Sequence, residues 1–194
     1  MAEYDLRRKS SPVILAPYKE AWPGEFESRA AHLRGTLGDL ALRIDHIGST
    51  SVPGLAAKDN IDMQITIADV HNADPFIAAM KKGGYVHREG IFEDHVPVGE
   101  DPDPAEWSKL YFREPEGARR THIHVRQQGC KNQQYALLFR DYLRSDKTSA
   151  GLYEQLKRRL AELFPESIDS YLYFKDPICD LIMQSARLWA DGTD

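Results

Sequence analysis

Cysteine is scarce, with Cys130 and Cys179 the only two in 194 residues. Two thiols cannot build a disulfide framework or a four-cysteine zinc site, so both are expected free, in a reducing compartment. Long apolar runs are missing too; none approaches the roughly 20 residues that span a bilayer. The opening MAEYDLRRKSSPV has no apolar core of the signal-peptide kind. These absences lead us to expect a cytoplasmic protein with no membrane partner. There is no basic excess, since 25 Lys and Arg face 30 Asp and Glu for a net charge of −5. A global field that draws nucleic acid is thereby excluded. Arg7-Arg8-Lys9, Arg119-Arg120 and Lys157-Arg158-Arg159 are read as solvated basic clusters. Repeats and low-complexity tracts are absent, and nothing specifies an oligomeric state.

What remains is ordinary globular material, 42% hydrophobic and 28% charged, enough for one domain. Residues 1–12 are expected to be flexible, 13–130 to hold a sheet-containing core, and 131–194 to be helical. Trp22, Phe26, Ala30, Leu33 and Leu37 recur at helical spacing behind Pro23, which predicts a helix over 22–37. LRIDHIG alternates as a strand. Ile61, Met63, Ile65 and Ile67 alternate with Asp62, Gln64 and Thr66, a strand with one apolar and one polar face. DPFIAAMKKGG reads as a short helix stopped by glycine. YVHREGIF reads as a strand, and the acidic stretch 93–106 as a loop, a candidate lid or disordered excursion. SKLYFR and RRTHIHVR form a hairpin around Pro115 and Gly117. Beyond residue 132, three apolar stripes predict packing helices, with Asp176-Pro177 as a kink or a fresh start. The fold class is α+β: a mixed sheet flanked by helices, with a C-terminal helical segment.

The stretch IDHIGSTSVPGLAAKDNIDMQITI, residues 44–67, joins two of these strands through glycines, hydroxyls and a lysine. A P-loop would need Gly-Lys where Pro53 and Gly54 stand. A nucleophile elbow would need Gly-x-Ser-x-Gly, which Gly48-Ser49-Thr50-Ser51-Val52 does not supply. Ile47-Gly48-Ser49 followed by Asp62-Met63-Gln64-Ile65 instead resembles the DNA polymerase β-like nucleotidyltransferases, which carry a second carboxylate two residues after the first. Gly48 would admit a phosphate chain to the backbone, and Ser49, Thr50 and Ser51 would bond its oxygens. Gln64 departs from the pattern: it offers a carbonyl oxygen and no charge to a metal ion.

More narrowly, HIGSTSVPGLAAK with NID is similar to the signature of the GrpB family. VILAPYKEAWPGEF, RTHIHV, FRDYLR and YFK match that family in order, so the resemblance runs from about Val13 to Trp189. It implies a nucleotidyltransferase-like fold and no particular substrate; some relatives are fused to dephospho-coenzyme A kinase.

RRTHIHVR places Ile123 and Val125 on one face and Arg120, His122, His124 and Arg126 on the other. Beside the Asp62 strand, that polar face would meet Asp62, Gln64 and Thr66. The metal set expected is then Asp62, His122 and His124, with Gln64 as a neutral addition, for Mg²⁺, Mn²⁺ or Zn²⁺. Solvated, inert histidines are the competing reading. The phosphate site expected is Gly48, Ser49, Thr50, Ser51, Gly54 and Lys58, with Asp62, Lys58 and Arg120 as catalytic residues. His46 reads as a satisfied core histidine. The function expected is binding of a nucleotide or phosphorylated small molecule with a divalent cation, and nucleotidyl or phosphoryl transfer if catalytic. The alternatives are a degenerate, non-catalytic nucleotide sensor or protein-interaction module, and a metal-assisted phosphoester hydrolase.

Overall fold

A computed structural model describes Leu6 and residues 8–192. Helix α1, Trp22–Leu37, begins with Pro23 in its first turn and buries Trp22, Phe26, Ala30, Leu33 and Leu37, the predicted stripe. Strands β1 (Arg43–Ile47) and β2 (Ile61–Ile67) pair antiparallel. Helix α2, Asp74–Lys82, buries Phe76 and Met80. It leads to β3, Val86–His87, much shorter than the strand expected from YVHREGIF. A single-turn helix α3, Pro104–Trp107, precedes β4, Lys109–Arg113. The expected hairpin then turns at Gly117, whose φ of +74° an L side chain rarely adopts. Strand β5, Thr121–Gln127, pairs antiparallel with β4 and parallel with β2. The sheet order is β1-β2-β5-β4-β3. Helices α4 (Lys131–Ser145), α5 (Lys147–Leu163) and α6 (Ile168–Asp191) complete the α+β fold.

Period-2 alternation sends Ile61, Met63, Ile65, Ile123, Val125 and Phe112 to one face, where they pack with α1 and α2. Each such side chain contributes about 2 kcal/mol on burial. The opposite face carries Asp62, Gln64 and Thr66 level with His122, His124 and Arg126. That face was expected to be polar. It is polar but covered, because α4 lies over it: Gln64 donates to the Gln133 carbonyl (3.2 Å) and Arg140 to the His46 carbonyl (3.1 Å). The helical segment has a core of its own, where Tyr142, Leu143, Tyr153 and Met183 enclose Val52 and Leu55 from the β1–β2 loop.

Two further expectations are revised, and a third lies partly outside the described residues. The acidic stretch 93–106 is an ordered flap: Trp107 is buried, its ring nitrogen donates to the Asp101 carbonyl (2.9 Å), and Asp94 is bound to Lys109 and Arg126. Composition gives no sign of such long-range anchors. Pro177 neither ends nor restarts a helix, since α6 runs through it from Ile168 to Asp191. The start expected to be flexible lies partly outside the described residues, at 1–5 and 7. Within them the Ser10 amide donates to the Glu166 carbonyl (2.8 Å) and Ser11 accepts from the Ile168 amide (3.0 Å).

Candidate functional site

After β1 the chain passes Gly48, at φ +69°, into one 3₁₀ turn over Ser49–Ser51. A Cβ on Gly48 would stand 2.5 Å from Asp62 Oδ2 and 2.9 Å from Asp62 Cβ. The glycine therefore admits the Asp62 side chain, the close approach that the sequence assigned to a phosphate chain. Gly48→Ala is expected to cost about 3 kcal/mol through backbone strain and overpacking. Urea denaturation checks this; a midpoint equal to wild type would show that the loop can open freely.

Two of the three hydroxyls are taken up by the fold. Thr50 Oγ1 lies 3.0 Å from His46 Nε2, and Ser51 Oγ donates to the Gly48 carbonyl (2.6 Å). His46 stacks on Phe26 with ring centroids 4.7 Å apart. Burial pushes its pKa down to about 4, so it is neutral at pH 7, the core histidine expected. Because its unfolded value is near 6.5, His46 withholds stability below about pH 4 and returns it as pH rises from there to about 6.5. A proton-NMR titration is expected to leave the His46 ring neutral at pH 5; protonation near pH 6.5 would place it in solvent.

Asp62 accepts from Asn60 Nδ2 (2.9 Å), and the same oxygen lies 3.1 Å from His122 Nδ1. Burial works against its charge, but the His122 hydrogen bond and the fields of His122, His124 and Lys58 hold the carboxyl below its usual value. Its side chain is 23% exposed. Gln64, wholly buried, accepts from Arg126 Nη1 at 2.6 Å. Burial, with the charges of Arg126 and Lys109, pushes His124 down to about 3, so it is a neutral imidazole. Among the described residues, no three His, Cys, Asp or Glu side chains converge as metal ligands. The expected set of Asp62, His122 and His124 is not assembled.

Between this face of the sheet and helices α4–α6 lies a cavity of about 380 Å³, in the size range of small-molecule sites. Gly48, Ser49, Lys58 and Asp62 line it from the loop and β2. From the helices come Lys157, Lys175 and the rings of Tyr135, Phe139, Tyr153 and Tyr171. Lys157 is 2% exposed; it donates to Ser49 Oγ (2.9 Å) and to the Ala56 carbonyl, and sits 4.8 Å over the Tyr153 ring. Lys58 sits 5.7 Å over the Tyr171 ring. Lys175 is paired with Asp176 at 2.7 Å, whereas Lys58 and Lys157 have no carboxylate within ion-pairing distance among the described residues. Burial accordingly lowers both pKa values, that of Lys157 to about 7.

Of the expected residues, the structure brings Gly48, Ser49, Lys58, Asp62 and His124 to the cavity. Thr50 and Ser51 point into the fold, Gly54 is exposed beyond the cavity, and His122 reaches it only through Asp62. Arg120 is exposed and does not line it; its carbonyl accepts from the Ile61 amide (3.1 Å). The lysines of α5 and α6 were missed. Lys157 was assigned to a solvated basic cluster, and the helical stripes to packing alone. A signal existed: Lys157 follows Tyr153 by four residues and precedes Leu160 by three, so it lies on the apolar face. Tyr171, Lys175 and Cys179 are likewise spaced by four.

A family model described as GrpB protein matches residues 12–185. The chain belongs to the GrpB family. A GrpB protein of Enterococcus faecalis, solved by crystallography, superposes with a TM-score of 0.71 at 32% identity, over 91% of this chain and 99% of that one. A protein of Mycolicibacterium paratuberculosis named dephospho-CoA kinase is 34% identical over 94% of this chain and 48% of its own length. The UPF0157 protein YqkA of Bacillus subtilis is 34% identical over 95% of this chain and 50% of its own. The chain thus spans about half the length of these two curated relatives. No helix among the described residues is long and apolar enough to cross a membrane.

Proposed function

We propose that this GrpB protein binds a nucleotide or a similar phosphorylated small molecule in the cavity, as a nucleotidyltransferase-like module. The observation that carries this reading is a pair of lysines, Lys157 buried and Lys58 half-buried, with no carboxylate within ion-pairing distance among the described residues. Burying an ammonium group is costly unless an opposite charge meets it. Ring faces and carbonyl dipoles offset part of the cost, and a phosphate offsets the rest. Lys157 and Ser49 would hold one phosphoryl group, and Lys58 another. The four aromatic rings offer a wall for a base or other flat group. The loop–strand arrangement that resembles nucleotidyltransferases supports the same placement, because β1 and β2 pair so that Gly48 lies directly over Asp62.

A divalent cation was expected at Asp62, His122, His124 and Gln64. The residues do not fit it: Gln64 is bound at both ends, and His122 is turned onto Asp62. A transfer reaction at the same site is a second reading, favoured by Asp62, whose partly exposed carboxylate lines the cavity with Lys58. Release of pyrophosphate from a nucleoside triphosphate would support it.

Isothermal titration with ATP, UTP, AMP, inorganic triphosphate and dephospho-coenzyme A tests the binding reading. The last ligand enters because relatives bear the kinase name. At least one is expected to bind in the micromolar range at pH 7. Failure of all five at millimolar concentration would remove the nucleotide reading.

A further inference from the structure

We infer that a buried arginine, Arg126, takes the place of a metal ion in this site, so that the phosphate ligand is bound without a divalent cation. This rests on the phosphate-binding reading above. It deepens that reading by assigning the source of positive charge.

The geometry begins at Gln64. Its position on β2, two residues after Asp62, is where a second acidic ligand would share the Asp62 face. Gln64 donates through Nε2 to the Gln133 carbonyl (3.2 Å) and accepts through Oε1 from Arg126 Nη1 (2.6 Å). Neither end is free to ligate. Arg126 is 6% exposed and lines the cavity. Its other donors form a fork on Asp94, Nε to Oδ2 at 2.7 Å and Nη2 to Oδ1 at 3.0 Å. Lys109 Nζ donates to Asp94 Oδ1 at 2.6 Å. Arg126 Nη2 also lies 3.5 Å from His124 Nδ1.

The corner therefore holds two cations, Arg126 and Lys109, and one carboxylate, Asp94, for a net charge of +1. A divalent ion placed there would meet like charge and find no free carboxylate. Asp62 alone would remain to hold it, through Oδ2 only, since Oδ1 already accepts from Asn60 and lies 3.1 Å from His122 Nδ1. A guanidinium fixed by a bidentate carboxylate cannot deprotonate or leave, so its charge is permanent. The lysines of the loop and helices supply the rest: Lys58, Lys157 and Lys175 line the same cavity. A polyphosphate entering it finds charge compensation built from side chains.

Two measurements on the full chain test this. Titration with ATP and with inorganic triphosphate, in EDTA and then in excess Mg²⁺, is expected to give affinities that agree within threefold or fall in Mg²⁺, because the metal masks ligand charge. Binding that vanishes in EDTA and returns with Mg²⁺ would overturn the inference. Electron paramagnetic resonance of Mn²⁺ decides the point separately, with and without triphosphate. Free Mn²⁺ signal undiminished by millimolar protein alone upholds it; Mn²⁺ bound by wild type and released in Asp62→Ala would overturn it. The Mn²⁺ result stands even if no phosphate tested is a ligand, a failure that would fall on the binding reading instead. In Gln64→Asp with Arg126→Met, Mn²⁺ affinity is expected to rise at least tenfold, provided circular dichroism shows the variant folded.

Discussion

Lys157→Met is expected to make the unliganded protein more stable at pH 6 while weakening phosphate binding at least 100-fold. The ammonium of Lys157 is nearly inaccessible, and burial brings its pKa down to about 7 from the ordinary lysine value near 10.5. A shift of that size corresponds to roughly 3–5 kcal/mol. Its hydrogen bonds to Ser49 and Ala56 return about 1–2 kcal/mol. Methionine keeps the length and apolar bulk of the side chain, so the net gain in unfolding free energy is about 1–3 kcal/mol. The folded-state pKa is depressed, so the penalty is complete below about pH 7. It fades as pH rises towards the unfolded value. The stability difference between variant and wild type should therefore shrink between pH 7 and pH 10. Chemical denaturation across that range measures it.

The same substitution removes a charge-assisted bond to the ligand, so affinity for ATP or triphosphate should fall at least 100-fold. In wild type, ligand binding at pH 8 should take up a proton, which calorimetry in two buffers of different ionisation enthalpy will register. A Lys157→Met protein that is less stable at pH 6, and that binds as wild type does, would defeat the reading of the cavity.

Arg126→Met is expected to cost about 3–5 kcal/mol, the largest single loss among the site residues. The substitution strips Asp94 of its fork and leaves it with Lys109 and a 3.2 Å bond from Asn132. Burial works against the Asp94 charge, but Arg126 and Lys109 hold its carboxyl well below the usual carboxylate range. That depressed pKa contributes stability at pH values above the unfolded value near 3.9, and the contribution is lost as pH falls through it and below. Arg126→Met should flatten this acid limb as well as lower the plateau. Adding Asp94→Asn should cost more rather than less, because buried Lys109 then loses its carboxylate partner. A single variant within 0.5 kcal/mol of wild type, on the scale of ordinary surface substitutions, would show that Arg126 is not the anchor of the flap.

Much of the fold was legible because it is local. The α1 stripe, the alternation of β2 and β5, and the turn at Gly117 follow from periodicity and backbone sterics. The pairing of Asp62 with His122 was also within reach, since two strands with matched polar faces favour that register. Where the reading failed, the cause lay at long range. The acidic stretch 93–106 resembles a mobile loop until Asp94 meets Lys109 and Arg126, 15 and 32 residues away. Thr50 is the exception: it looked like a phosphate ligand although the residue that claims its hydroxyl, His46, lies only four positions back. Lys157 looked solvated because its neighbours Arg158 and Arg159 share its charge, although its helical phase places it inward.

The sequence by itself determined the family, the strand and helix periods, and the glycine that lets Asp62 sit beneath the loop. These depend on side-chain spacing and backbone freedom, which the chain carries with it. Only the tertiary structure decided which charges share a cavity. The three helices bring Lys157 and Lys175 to Lys58 and Asp62, and the flap brings Asp94 to Arg126. Electrostatic interaction depends on distance and burial, and neither is a property of position along the chain.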